Sequence, residues 1–376
     1  MLKELTNLIT SQKDYYLRKI IRQSNNFNFR KNKKIILFGA AEIGKVFIKL
    51  FTDNNIVVMA VCDNDLSKRG KRLHNVMIIS PDDLLKFPKD TPIIITVMHD
   101  QEVKKQLKSL GFNNSWSHGY FSTLYPRKFQ NNFWGSSINT ILTSNKEILS
   151  CFNLFKDSVS QKTFFGVLRY RLTLDNNYLK EIMKPIENQY FDKDVVSFSE
   201  KEVYVDGGAF TGDTIIQFFK HVNKKFLHIY AFEPDRVSFA TLKKNIRKVI
   251  GKRISLLPIG LEKKETSVSF YTSGEMSSRI TTYGENKIKV INLDKFLSDK
   301  IIPTFIKLDL EGVDYNALIG MKNILSTYQP KLAISVYHTS TDLWKIPLLI
   351  RKINPNYKFF LRHYSETLHE TICYAV

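Results

Sequence analysis

The sequence predicts an α/β protein built from two doubly wound units, and three observations carry that prediction. Two stretches, KKIILFGAAEIGKVFIKLF from Lys33 and KEVYVDGGAFTGDTIIQFF from Lys201, each read as an apolar strand, a glycine turn and a helix. After each of them, strand-length apolar runs alternate with helix-like segments, the pattern of a mostly parallel sheet. Between them, residues 126–190 carry apolar positions at helical spacing without alternating strands. The expected organisation is an amino-terminal amphipathic helix over 1–30, a smaller Rossmann-like domain over 31–125, a helical linker over 126–190 and a larger α/β domain over 191–376.

The 376 residues suffice for two cores, and 43% hydrophobic with 24% charged residues is the balance of a globular protein. Runs such as KIILF, IVVMAV and PIIITVM are strand length, far below the roughly 20 residues of a membrane helix. The amino terminus lacks an apolar signal core. Its Leu2, Leu5, Ile9, Leu17, Ile20 and Ile21 share one helical face, suited to docking on the protein or on a second copy in a homo-oligomer, with a membrane surface as the alternative. Cys62, Cys151 and Cys373 are odd in number and form no close pair, which points to a reducing compartment, the cytoplasm. The formal charge of +20 invites a nucleic-acid reading. The basic residues are spread, however, mostly as lysine, with short pairs such as Lys33–Lys34 and Lys224–Lys225. A solvated surface accounts for that, and small anionic substrates such as nucleotide-linked sugars would be drawn by the same field.

In the amino-terminal unit, KIILF and IVVMAVCDND read as strands, the second ending in acidic residues. SPDDLL opens a helix, with Ser80 ahead of Pro81 at the first helical position. TPIIITVMHD is a further strand, and DQEVKKQLKSLGF a helix with Gly111 beyond its end. The turn GAAEIG has Gly39 and Gly44 in place but Ala41 where a dinucleotide site has its second glycine, and Asp63 lies where a ribose carboxylate would. Two readings stand: a nucleotide or nucleotide-sugar site, or the tight first turn that any parallel unit needs. In the linker, Phe152, Phe155, Phe164, Phe165 and Tyr170 read as core. Tyr190 and Phe191 either roof a substrate pocket or pack.

The larger unit shows strands near 202–206, 227–232, 253–258, 268–271, 304–309, 331–337, 357–363 and 370–375, the last two fitting an antiparallel pair. Asp206 precedes Gly207, Gly208 and Gly212, whose turn opens a helix and lets a ligand approach the backbone. Glu233 ends the next strand 27 residues later, near the spacing of a ribose-gripping carboxylate. Alternation places Lys307, Asp309 and Glu311 on one side at the carboxyl end of IKLDLEG, the edge where open α/β sheets keep their sites. A lysine between apolar strand residues needs a carboxylate. His338 ends the following strand at the same edge. Lys307, Asp309 and His338 are the catalytic candidates for general-base chemistry. Asp309, Glu311 and His338 could instead hold Mg²⁺ or Mn²⁺, and a salt-bridged strand end is the structural alternative.

The ordered motifs DGGAFTGDT, AFEP and IKLDLEG resemble the FkbM-type family of S-adenosylmethionine-dependent methyltransferases over roughly residues 190–376, in a branch with an extra amino-terminal domain and a late YH…LRHY signature. The resemblance implies a class I methyltransferase Rossmann-like fold, mostly parallel with an antiparallel last strand. It also implies S-adenosylmethionine as cofactor and O-methyl transfer to a hydroxyl of a sugar or sugar nucleotide, in surface polysaccharide biosynthesis. Asp206, Gly208 and Gly212 would surround the amino-acid part and sulfur of the cofactor, with Asp213 and Thr214 at the helix start. Glu233 would accept both ribose hydroxyls, and Leu261 would meet the adenine. Ser277, Ser278 and Arg279, with Glu311, would line the substrate side. Asp314 stands where the family has a second glutamate. Arg362 and His363 would hold an anionic substrate group, or pair with Glu366 and Glu370. A nucleic-acid methyltransferase and an inactive binding or scaffold protein are the alternatives.

Overall fold

The computed structural model of the chain describes residues 1–24, 27–98, 100–125, 138–247, 253–271, 279–280 and 286–376. The chain divides into two compact units, one of residues 7–143 with 168–177, the other of 1–6, 144–167 and 178–376. The helical linker is therefore shared: Asn145–Phe152 lies in the second unit, while Ser158–Thr173 begins in the second and ends in the first. The single amino-terminal helix expected over 1–30 is two, Leu2–Thr10 and Lys13–Ser24. The two meet at Ser11, whose hydroxyl donates to the Asn7 carbonyl at 2.6 Å. Of the predicted apolar face, Leu5, Ile9 and Ile20 are buried and Leu2 is exposed. No helix among the described residues is long and apolar enough to cross a membrane.

The first unit is a six-stranded sheet of β1 Lys34–Phe38, β2 Val57–Cys62, β3 Arg72–Leu73, β4 Val76–Ile79, β5 Ile93–Ile95 and β6 Ser115–Ser117. Their order is β3-β4-β2-β1-β5-β6, all parallel except the β3–β4 hairpin. Strands β3, β4 and β6 have no counterpart in the sequence reading, being two to four residues long, too short for a period to show. The expected helix at Ser80 is a single 3₁₀ segment, Pro81–Lys86, held by Ser80 N–H and hydroxyl donating to Asp83 Oδ2 at 3.1 and 2.8 Å. Ile36, Phe38, Ile93, Ile95 and Leu107 form its core.

The second unit holds a seven-stranded sheet of β7 Val203–Gly207, β8 His228–Phe232, β9 Ile254–Leu257, β14 Phe305–Leu308, β15 Lys331–Ser335, β16 Phe359–His363 and β17 Thr371–Ala375. The order is β16-β17-β15-β14-β7-β8-β9. Only β17 runs against its neighbours, inserted between β15 and β16, which is the expected reversed last strand. Direction of travel changes between β7 and β14, and the crevice at such a switch point is where open α/β sheets bind ligands. Tyr204 of β7 and Phe305 of β14 stack beneath it, centroids 5.2 Å apart.

The strand expected near 268–271 does not join this sheet. It is β11, Thr266–Tyr271, in a separate four-stranded sheet with β10 Gly260–Leu261, β12 Arg279–Ile280 and β13 Asn286–Ile291, in the order β10-β13-β11-β12. Its period-two pattern suits an antiparallel strand with one buried face: Phe270 packs with Ile288 and Val290, and Val268 lies against them.

Candidate functional site

The site is assembled at the carboxyl ends of β7, β8, β14 and β15. Parallel register puts Lys307 beside Asp206. On one face these two side chains meet, Nζ to Oδ1 3.1 Å, both almost fully buried. The same ammonium donates to the carbonyls of Gly207 at 3.2 Å and Gly208 at 2.7 Å. Burial works against its charge, but Asp206 and Asp309 outweigh that and raise its pKa. Lys307 is thus a strut beneath the glycine turn. The expected catalytic contact with an acceptor does not fit its position, since its charge is spent on holding the loop.

Above that strut, the turn is shaped by close backbone approach. Gly208, at φ +73°, leaves no room for a side chain: a Cβ would lie 2.0 Å from the Asp309 carbonyl oxygen. Gly212, at φ +87°, stands at the N-cap of the helix Asp213–His221, where it offers no side chain to the first N–H groups. Thr214 donates its hydroxyl to Asp206 Oδ2, so it braces that carboxylate from the helix, while Asp213 is exposed on the same first turn. Leu261, 1% exposed, packs against Gly207 as a wall of the turn.

Glu233, just past β8, accepts the Phe210 N–H on Oε2 and the Asp235 N–H on Oε1, each at 2.8 Å. Burial pushes this carboxyl up to about 7, against the pull of those two donors. A buried carboxylate short of donors beside a glycine turn fits a ligand that brings a vicinal diol, as a ribose does. Glu233 and the helix start at Gly212 therefore fit what S-adenosylmethionine presents, whereas Asp206, expected at the cofactor, is fully buried between Lys307 and Thr214 and braces the turn from beneath.

Beyond the turn lies an acidic locus. Asp309 and Glu311 are each about a quarter exposed, at 25% and 26%. Strand alternation does not carry Glu311 there, because β14 ends at Leu308. A left-handed residue, Glu311 at φ +52°, turns the chain instead. Asp309 Oδ2 accepts the Tyr190 hydroxyl at 2.9 Å, and Oδ1 accepts the Tyr337 hydroxyl at 3.1 Å. His338 is clamped between carboxylates, Nε2 to Asp309 Oδ1 3.1 Å and Nδ1 to Asp314 Oδ2 3.2 Å. Burial disfavours an imidazolium, yet Asp309 and Asp314 outweigh it and raise His338 well above its ordinary pKa. For Asp309 burial acts upward instead, and His338 and Lys307 overcome it, holding the carboxyl below the usual range. Glu311 is pushed up to about 8 by burial and Glu370 to about 7 by burial and Asp309. The locus thus pairs one firmly ionised carboxylate with two that retain affinity for a proton near neutrality.

The metal set expected from Asp309, Glu311 and His338 is gathered, with His338 Nε2 4.0 Å from Glu311. Both imidazole nitrogens face carboxylates, however, so a proton stands where a cation would bind. Among the described residues no three His, Cys, Asp or Glu side chains form a metal-binding group. The residues do not fit Mg²⁺ or Mn²⁺ in this arrangement.

Arg362 and His363 stand at the end of β16 and are buried within the fold. Arg362, 2% exposed, forks onto Asp157 (NH2 to Oδ2 2.7 Å) and Ser160, with Asp192 at 3.9 Å. His363 is fully buried, 2.9 Å from the Thr371 hydroxyl. The anionic-substrate reading is therefore corrected: the buried Arg362 guanidinium takes carboxylates inside its own fold, and Glu366 pairs with Lys180. Ser277 and Ser278 lie outside the described residues, and Arg279 is described as part of β12 only. In the first unit Asp63 accepts the Ala40 N–H at 2.7 Å and pairs with Lys68 at 3.2 Å.

Asp314, Ser335, Tyr337 and Glu370 were not singled out as site residues from sequence. Ser335 and Tyr337 carried a signal, being polar positions at the carboxyl end of an apolar strand. Four non-glycine residues with left-handed backbones, Tyr190, Phe210, Glu311 and Glu370, come from four separate segments to this edge, a concentration typical of functional sites.

Residues 206–365 match the model of the methyltransferase FkbM domain, and residues 31–116 that of the C2185-like amino-terminal domain. No curated protein matches the chain. Among solved structures, the methyltransferase FkbM from Methylobacillus flagellatus KT superposes with a TM-score of 0.75 at 23% identity, covering 100% of this chain and 98% of that one. A SAM-dependent methyltransferase from Aquifex aeolicus overlaps 54% of this chain and 97% of its own at 13% identity and a TM-score of 0.30. Aeropyrum pernix fibrillarin, in complex with S-adenosyl-L-methionine, overlaps 49% and 71% at 11% identity and 0.30. Residues 206–365 are thus similar to the methyltransferase FkbM domain, and residues 31–116, ahead of them in the chain, to the C2185-like amino-terminal domain.

Proposed function

We propose that this protein is a cytoplasmic S-adenosylmethionine-dependent O-methyltransferase that methylates a hydroxyl of a sugar or nucleotide-linked sugar, in surface polysaccharide biosynthesis. The observation that carries the cofactor reading is Glu233: a buried carboxylate at the end of β8, held among the described residues by two backbone donors and standing beside the glycine turn at the switch point. When bound there, S-adenosylmethionine supplies an electrophilic methyl group on a sulfonium sulfur, with the electron pair of the broken carbon–sulfur bond remaining on sulfur.

The chain's own residues do the rest. Lys307 and Asp206 keep the turn in shape from below, and Glu233 holds the ribose. Asp309, Glu311 and Glu370 present acceptor oxygens to the hydroxyls of a sugar ring, orienting one of them and taking up its proton as its oxygen is methylated. Orientation of two reactants in one site is worth roughly 7–11 kcal/mol of barrier, and proton removal adds about 10²–10⁴-fold. The three free, buried cysteines suit a reducing compartment. A phosphate backbone laid across this edge would meet three carboxyl groups, so the positive charge of the whole chain does not make nucleic acid the acceptor. Consumption of S-adenosylmethionine against a panel of nucleotide-linked sugars tests the reading. Turnover with one of them supports it, and methylation of RNA or DNA in its place would replace it.

A further inference from the structure

Tyr190 stands where the two halves of the site meet, and its backbone is strained to put it there. Its φ of +64° is a conformation that bulky side chains rarely adopt. The neighbouring residues hold it in place. Phe191 is fully buried, the Gln189 N–H donates to Ile186 O at 3.0 Å, and the Gln217 amide donates to Gln189 O at 3.4 Å. The Tyr190 ring centroid lies 5.2 Å from Lys307 Nζ, the ammonium that holds the carbonyls of the glycine turn. Its hydroxyl donates to Asp309 Oδ2 at 2.9 Å and lies 3.2 Å from Ser335 Oγ. One side chain thus touches the strut under the cofactor turn with its ring and the acceptor-side carboxylate with its oxygen. It does so from outside the segment that matches the methyltransferase domain.

Resting on the O-methyltransferase reading of this site, we propose that Tyr190 is a positioning residue for methyl transfer, its ring steadying the cofactor turn through Lys307 and its hydroxyl fixing the Asp309 carboxylate toward the acceptor. Different atoms carry the two roles, so substitutions separate them. Tyr190→Phe keeps the ring and removes the donor; Tyr190→Leu removes both while keeping bulk, with Tyr190→Met in its place if the leucine variant does not fold.

The measurements are kcat and KM for the acceptor, and calorimetric titration with S-adenosylhomocysteine. Tyr190→Phe is expected to lower kcat about tenfold or more, as small misplacements of a reacting group do, with acceptor KM and S-adenosylhomocysteine affinity within about twofold of wild type. Tyr190→Leu is expected to lose about fivefold in S-adenosylhomocysteine affinity as well, part of the free energy of a buried cation–π contact being passed on to the cofactor turn. A merely structural tyrosine would shift melting temperature and both kinetic constants together. Wild-type kcat in Tyr190→Phe, or wild-type S-adenosylhomocysteine affinity in Tyr190→Leu, overturns the proposal. Should the wild-type protein bind S-adenosylhomocysteine yet methylate no sugar, the acceptor reading falls and the calorimetric arm alone decides the role of Tyr190.

Discussion

The Glu233 carboxylate accepts the backbone N–H of Phe210 at 2.8 Å, tying the end of β8 to the glycine turn that follows β7. The amino-terminal unit repeats the relation with a shorter side chain, Asp63 on Ala40 at 2.7 Å. In each case an acidic residue after the second strand fixes the turn after the first. At Glu233 the bond also sets the direction of the free lone pairs.

Because burial raises Glu233 to about 7, protons compete with the cofactor for it. Ribose hydroxyls donate to the ionised form, so the bound complex has the lower pKa. Affinity for S-adenosylhomocysteine should be level above pH 7 and fall by up to about tenfold per pH unit below it, as calorimetry across pH 5.5–8.5 would register. Affinity that is flat across that range counts against the ribose assignment.

The same shift predicts a stability trade. A carboxyl whose folded pKa is raised contributes stability that is fully present below its unfolded value and lost as pH rises through about 7. Glu233→Gln should therefore raise the melting temperature of the ligand-free protein at pH 8 by a few degrees while weakening cofactor binding. A lower melting temperature at that pH would show that the carboxylate is not under strain.

Lys307 is expected to behave as a structural group. Lys307→Met leaves Asp206 buried without its cation and the Gly207 and Gly208 carbonyls without their donor. Breaking a buried pair in this way costs about 3–5 kcal/mol, readable as a shifted denaturant midpoint together with lost cofactor binding. A variant of wild-type stability that had lost only turnover would return Lys307 to a catalytic role.

Asp309→Asn keeps the shape of the side chain but not its charge. Turnover should drop by about 10²-fold or more, with S-adenosylhomocysteine affinity within about threefold, because Asp309 faces the acceptor side. Equal losses in both would place Asp309 among the cofactor-binding groups.

His338, with a carboxylate on each ring nitrogen, is expected to carry a proton in place of a metal. Turnover after dialysis against EDTA should match that of untreated enzyme. Activity lost on dialysis and restored by Mg²⁺ or Mn²⁺ would contradict this.

Much of the fold could be read from the chain because apolar strands, glycine turns and amphipathic helices each leave a local period. That Asp206, Gly208 and Glu233 gather around one turn was legible for the same reason, since a turn and a strand end fix their positions within a few residues. The acceptor side was less so. Tyr190 reaches Asp309 across 119 residues, and no periodicity encodes which distant partner a polar side chain meets. Glu311 failed differently. It does reach the expected edge, but not by strand alternation: β14 ends at Leu308, and a left-handed turn that the sequence does not advertise brings it there.

The most direct measurement is calorimetric titration of S-adenosylhomocysteine into the wild-type protein and into Glu233→Ala. Saturable one-to-one binding that weakens by about tenfold or more in the variant, about 1.4 kcal/mol, is the predicted result. No binding heat in the wild type, or equal affinity in both proteins, would contradict a sulfonium nucleotide held by Glu233 at this sheet edge.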